Sequence, residues 1–98
     1  MIIINKRTEG ESAYILTLGE ERSQIYKVYA SNEAEAKEIL AEHLIAQNDH
    51  DSYFDALEVN IMASAKGLTM QEFAEVFDLT LCPKYNIYLP DLGVQEVI

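Results

Sequence analysis

The chain has 98 residues, 49% of them hydrophobic, and a formal net charge of -10 from 17 acidic and 7 basic residues. That size suits one domain over 1–98 with one modest core, and the apolar content predicts a folded chain. The sign of the charge argues against a phosphate backbone as direct ligand, because binding nucleic acid needs cations to displace counterions.

No apolar run is long enough to span a membrane. Met1 to Ile4 is apolar, but Asn5, Lys6 and Arg7 follow at once, too soon and in the wrong charge order for a signal-peptide core. The single cysteine, Cys82, rules out an internal disulfide, and the expectation is a cytoplasmic protein. Charge is unevenly spread. Residues 1–30 carry four basic and four acidic side chains, residues 31–78 two basic and eleven acidic, and residues 79–98 one basic and two acidic. The acid is therefore gathered in the middle.

Met1 to Lys6 is predicted as a strand that can pair at a sheet edge. Thr8 to Ser12 reads as a turn around Gly10. Ala13 to Leu18 alternates, with Tyr14, Leu16 and Leu18 on one face. Gly19 to Ser23 interrupts, and Gln24 to Ala30 alternates again with Tyr26, Val28 and Ala30 together. Two alternating runs around a short Gly-containing loop predict an antiparallel hairpin.

Ser31 to Gln47 predicts an amphipathic helix packed on that sheet. Ala36, Ile39, Leu40, His43 and Leu44 recur at three- and four-residue steps, and Glu33, Glu35, Lys37, Glu38 and Glu42 take the other side. Ser31 or Asn32 is the expected N-cap. After the polar Asn48 to Asp51, a second helix is predicted from about Ser52 to Lys66, capped by Asp51 or Ser52. Its expected apolar face is Tyr53, Phe54, Leu57, Ile61, Met62 and Ala65. Gly67 suits the left-handed residue that ends a helix. Thr69 and Glu72 form a capping box, with Leu68 and Phe73 placed as a hydrophobic staple. Phe73, Val76 and Phe77 are the expected buried side of the third helix. Asn86 to Leu89 reads as a strand, Pro90 to Gly93 as a turn, and Val94 to Ile98 as a last short strand or tail. The fold class is α+β: an N-terminal antiparallel sheet of a β-hairpin plus an edge strand, two or three helices, and a short C-terminal strand.

Four groups of residues invite a functional reading. Glu35, Glu38 and Glu42 neighbour one another on one helix face, and Asp49, Asp51, Asp55 and Glu58 continue the acid. Such a surface can occupy a basic groove of a partner; the competing reading is an ordinary solvated face. Gly67 to Thr80 resembles the first helix and turn of helix-turn-helix DNA-binding domains. Leu79 and Thr80 would then open a recognition helix over Leu81 to Tyr88. That stretch holds Pro83 and one cation, Lys84, a poor set for reading bases and phosphates. His43, His50 and Cys82 are the residues from which metal or nucleophile chemistry would be built. Their spacing implies no site, and Asp49-His50-Asp51 lacks the glycine and final glutamate of a calcium loop. Six tyrosines (Tyr14, Tyr26, Tyr29, Tyr53, Tyr85, Tyr88) serve either sheet packing or a protein contact.

In size, acidity and strand–strand–helix order, the hairpin AYILTL and QIYKVYA followed by SNEAEAKEIL resembles small acidic phage-encoded inhibitors, the anti-CRISPR proteins. The resemblance implies a non-enzymatic inhibitor of a basic, nucleic-acid-handling protein complex, acting as a nucleic-acid mimic through the seven carboxylates. From the residues themselves no cofactor, metal, direct nucleic-acid binding or membrane binding is expected, and a monomer or a homodimer is open because the short C-terminal strand could pair with its own sheet or with a second chain. The alternatives are a helix-turn-helix-like transcriptional regulator, and an immunity protein or antitoxin that neutralises a basic toxin.

Overall fold

The hairpin forms where the alternation places it. The computed structural model describes residues 1–19 and 23–97; Glu20, Glu21 and Arg22 of the expected loop and Ile98 of the expected tail lie outside the described residues. Strands β1 (Ile2–Ile3), β2 (Ser12–Leu18) and β3 (Gln24–Ala30) belong to one sheet, closed on its other edge by the C-terminal β7 (Gly93–Val97). The strand order is β1-β3-β2-β7. β2 and β3 pair antiparallel with Tyr14 opposite Val28 and Leu16 opposite Tyr26. β1 runs parallel to β3, and β7 antiparallel to β2. The first strand is thus only two residues long, and the C-terminal strand returns to its own sheet. Because strand side chains alternate, Tyr14, Leu16, Leu18, Tyr26, Val28 and Ala30 share one face, and all are buried.

Helix α1 (Glu33–Ala46) covers that face. Asn32 caps it by accepting the Glu35 N–H at 2.8 Å. Ala36, Leu40, Ala41 and Leu44 are its buried residues. The helix ends at Asn48, which takes a left-handed φ of 53°. The Asn48 and Asp49 N–H groups then close back on the Ile45 and Leu44 carbonyls, each at 3.0 Å. An asparagine does here what Gly67 does, with φ 70°, at the end of the second helix.

The second half contains a second sheet of order β4-β6-β5, made of β4 (Phe54–Asp55), β5 (Leu79–Cys82) and β6 (Ile87–Pro90). Helices α2 (Ala56–Ala65) and α3 (Met70–Val76) pack on it and on each other. The capping box at Thr69 and Glu72 is present in both directions. β5 and β6 join through Pro83 to Asn86. Proline presets the first turn residue, the Tyr85 N–H reaches the Cys82 carbonyl at 3.3 Å, and Asn86 takes a left-handed φ of 53°. The other side of α1 meets this sheet: Ala34, Lys37 and Glu38 border Leu81, Cys82 and Pro83. One core cluster accordingly joins α1 to residues of both sheets, including Cys82, Ile87 and Leu89. A second cluster of Val59, Ala63, Phe73 and Tyr88 holds α2 and α3 in place.

Four expectations are corrected. The second helix starts at Ala56, not Ser52, and its N-cap is Asp55, which accepts the Glu58 N–H at 2.8 Å. Asp51 and Ser52 do not cap it. Phe54 and Asp55 are extended because they pair with Tyr88 and Ile87. The buried side of α2 is Val59 and Ala63, while Leu57 and Ile61 are exposed. In the third helix Phe73 is buried but Val76 and Phe77 are exposed. Finally, no recognition helix follows α3. Asp78 turns the chain at a left-handed φ of 52°, and Leu79 to Cys82 continue as strand β5, so Leu81 to Tyr88 form a β-hairpin.

Because α1 is wedged between two sheets, its small residues should resist enlargement. Ala41→Leu should lower stability by about 1–3 kcal/mol through overpacking. Ala46→Leu, at an exposed position of the same helix, should stay within about 0.5 kcal/mol of the parent. Urea unfolding of the two variants checks this.

Candidate interaction surfaces

Glu35, Glu38 and Glu42 lie on the side of α1 opposite Ala36, Leu40 and Leu44. Glu35 to Glu42 spans about 10 Å along the axis. Glu35 is half-buried and accepts the Ser31 N–H at 3.2 Å. Glu38 and Glu42 meet the β5–β6 turn: Lys84 Nζ stands 4.0 Å from Glu38, and the Tyr85 hydroxyl donates to Glu42 at 3.1 Å. An exposed pair at that distance contributes little to stability. Loss of solvation, together with the bond to Glu42, pushes the Tyr85 phenol up.

The remaining four carboxylates do not form one row. Asp49 is bound inward: Gln24 Nε2 donates to the Ser52 hydroxyl at 2.7 Å, and that hydroxyl donates to Asp49 at 2.8 Å. Ser52 is buried, so this chain of bonds fastens the turn after α1 to β3. Asp55 is occupied as the cap of α2. Asp51 and Glu58 are exposed at the surface. The structure therefore brings Glu35, Glu38 and Glu42 together, gives Asp49 and Asp55 local structural tasks, and leaves Asp51 in the turn after α1 and Glu58 in the first turn of α2.

The residues considered for metal or nucleophile chemistry are scattered. His43 packs edge-on against Tyr26, with ring centroids 6.1 Å apart. His50 Nδ1 lies 3.1 Å from the Tyr53 hydroxyl. Cys82 is buried with its Sγ 3.9 Å from the Lys37 carbonyl, and burial pushes its thiol up to about 11. Such a thiol is neutral and shielded, unlike a nucleophile. Among the described residues no group of three or more His, Cys, Asp or Glu is placed to hold a metal ion. Nor is any helix among them long and apolar enough to cross a membrane.

One surface escapes the sequence reading. Leu57 and Ile61 on α2 are 67% and 60% exposed, and Val76 and Phe77 at the end of α3 are 66% and 45% exposed. Val76 and Phe77 line an open groove of about 810 Å³ with Met62, Ala65, Leu79 and Pro90 among others, and Lys66, Asp78 and Asp91 stand at its polar edge; Leu57 and Ile61 precede Ala65 on α2. A contiguous apolar surface of this kind marks an interaction site more often than scattered single residues do. The signal was present: seven of the ten residues of ALEVNIMASA are apolar and surround the helix, more than one buried face can use. The comparisons give no name to either surface: no protein-family model, no curated protein and no solved structure matches this chain.

Two outcomes test the local assignments. Asp49→Ala should cost about 1–2 kcal/mol by stranding the buried Ser52 hydroxyl, while Asp51→Ala should stay within about 0.5 kcal/mol. Thermal melts of the two variants separate a structural carboxylate from a surface one. For Cys82, the thiol's ordinary value is 9.0 and its folded value about 11. Between these pH values the unfolded chain has lost the proton and the folded chain keeps it. Stability should therefore fall as pH rises through that window. Cys82→Ala should flatten the decline, leaving the part due to Tyr14, Tyr26 and Tyr85, whose phenols loss of solvation also pushes up. Melts at several alkaline pH values read this out.

Proposed function

We propose that the chain is a small non-enzymatic binding protein that inhibits a basic, nucleic-acid-handling protein complex by occupying its surface, in the manner of anti-CRISPR proteins. The observation that carries this is the row Glu35, Glu38 and Glu42 on the outward side of α1, within a chain of net charge -10. Carboxylates held on a helix whose other sides are clamped by two sheets are fixed in place before a partner arrives. A fixed row loses less side-chain and backbone freedom on binding than a mobile one. A field of one sign steers a partner of the opposite sign and raises the association rate. Lys84 and Tyr85, beside this row, would either contact the partner or release Glu38 and Glu42 to it.

The set of contact residues is narrower than the sequence implies. Glu35, Glu38, Glu42, Asp51 and Glu58 serve as contacts, while Asp49 and Asp55 support the elements that display them. An immunity protein or antitoxin would present the same surface to one basic toxin. The regulator alternative loses its recognition helix to the β5–β6 hairpin.

The test is capture from host lysate by the tagged chain. A basic complex should be retained after nuclease treatment and released by high salt, because exposed charges are screened within about 10 Å at 0.1 M salt. Charge reversal by Glu38→Lys with Glu42→Lys should weaken capture at low salt by about tenfold or more. Undiminished capture by that variant would sink the acidic-surface reading. Circular dichroism of the variant guards against unfolding.

A further inference from the structure

The geometry points to a second binding site on this chain: the apolar surface of α2 and α3 takes an amphipathic helix whose apolar side chains are flanked by Lys or Arg. This does not rest on the acidic row of α1. Leu57, Ile61 and Ala65 are spaced four apart on α2, so they form one stripe about 12 Å long. Ala65 also lines the groove, so the stripe runs into the space bounded by Met62, Val76 and Phe77. Stripe and cleft meet at Ala65. Most of this surface is helical side chains, with the strands contributing Phe54, Leu79 and Pro90 to the cleft. That suits an incoming helix, whose anchors recur at three- and four-residue steps like the stripe itself.

Charge chooses the occupant. Residues 54–91 carry six acidic side chains (Asp55, Glu58, Glu72, Glu75, Asp78 and Asp91) and two basic ones (Lys66 and Lys84). Asp78 and Asp91 stand at the edge of the groove itself. Lys66, the cation at that edge, already lies over the Phe77 ring with its Nζ 5.6 Å from the centroid. A second copy of the chain would bring another -10 against this rim. A partner with apolar anchors and basic flanks meets both the stripe and the rim. Opposite charge at the rim fixes orientation and speeds encounter, while the apolar anchors supply the affinity.

The probe is a synthetic peptide of about 18 residues, with leucine along one helical face and lysine along the other. A scrambled peptide of the same composition is its control. Titration of the labelled protein, followed by amide chemical shifts, should place the changes on α2 and α3 for the first peptide, with weaker binding of the scrambled one. Ile61→Glu and Val76→Glu change exposed positions and each add a carboxylate. Charge alone would then strengthen binding of a cationic peptide. We expect the reverse, about tenfold weaker binding in each variant, because an apolar contact is lost. The Glu38→Lys, Glu42→Lys variant should keep peptide affinity within about threefold, which separates this site from the α1 surface. Equal binding of both peptides, unchanged affinity in the two Glu variants, or a dimer of the chain that Ile61→Glu dissociates would overturn the assignment.

Discussion

The rest of the structure depends on the burial of α1 between two sheets. Ala36, Leu40 and Leu44 close the inner face of the first sheet, and the Ala34, Lys37 and Ala41 side receives β5 and the turn that follows it. Each buried leucine or valine in this cluster is worth about 1.5–3 kcal/mol relative to exposure. The alanines matter for a different reason: they let a sheet approach the helix from a second side. With two sides occupied, Glu35 is left outward, and Glu38 and Glu42 lie along the edge where α1 meets the β5–β6 turn. Packing and charge are therefore two consequences of one sequence pattern.

The chain crosses between the two sheets twice, and each crossing is locked by local chemistry. The first crossing uses Asn48 in the left-handed region and the Gln24, Ser52 and Asp49 bonds. The second uses Asp91, with φ 48°, between β6 and β7, and there the Gly19 N–H also donates to the Pro90 carbonyl at 3.3 Å. β7 then closes the edge of β2 with Val94 opposite Leu16, so residues near the C-terminus complete the sheet begun near the N-terminus. The acid is segregated by the same arrangement. On the outer face of the first sheet, Ala13, Ile15, Thr17, Ile25, Lys27, Tyr29, Gln95 and Val97 include no carboxylate, while the helices and turns carry most of the acid.

Where local pattern governs, the sequence was legible. The β2–β3 faces, the α1 stripe, the Asn32 cap, the Gly67 terminus and the Thr69 capping box follow from side-chain period and cap chemistry within a few residues. The failures lie where distant contacts decide. Phe54 and Asp55 are extended because Tyr88 and Ile87, 34 and 32 residues further on, pair with them, and that delays α2 to Ala56. β5 is four residues long and follows a helix, so its alternation is too short to stand out. In α2, apolar residues on every side leave no unique stripe, and Val59 and Ala63 were displaced by the bulkier Leu57 and Ile61 in the expected core. The acidic candidates were visible from composition. That Asp49 and Asp55 are held by Ser52 and Glu58, each three residues on, was not, because the expected start of α2 at Ser52 moved the cap away from Asp55.

Under the proposed function α1 is the working face of the molecule, and α2–α3 offer a separate apolar surface. Carboxylate footprinting of the chain, free and in its captured complex, addresses the first claim directly. Carbodiimide-driven labelling modifies exposed carboxylates, and mass spectrometry locates the label on each peptide. Glu38 and Glu42 should lose label in the complex while Glu75, exposed on α3, keeps its label. Unchanged labelling at Glu38 and Glu42, in a complex that protects carboxylates elsewhere, would contradict the proposed function.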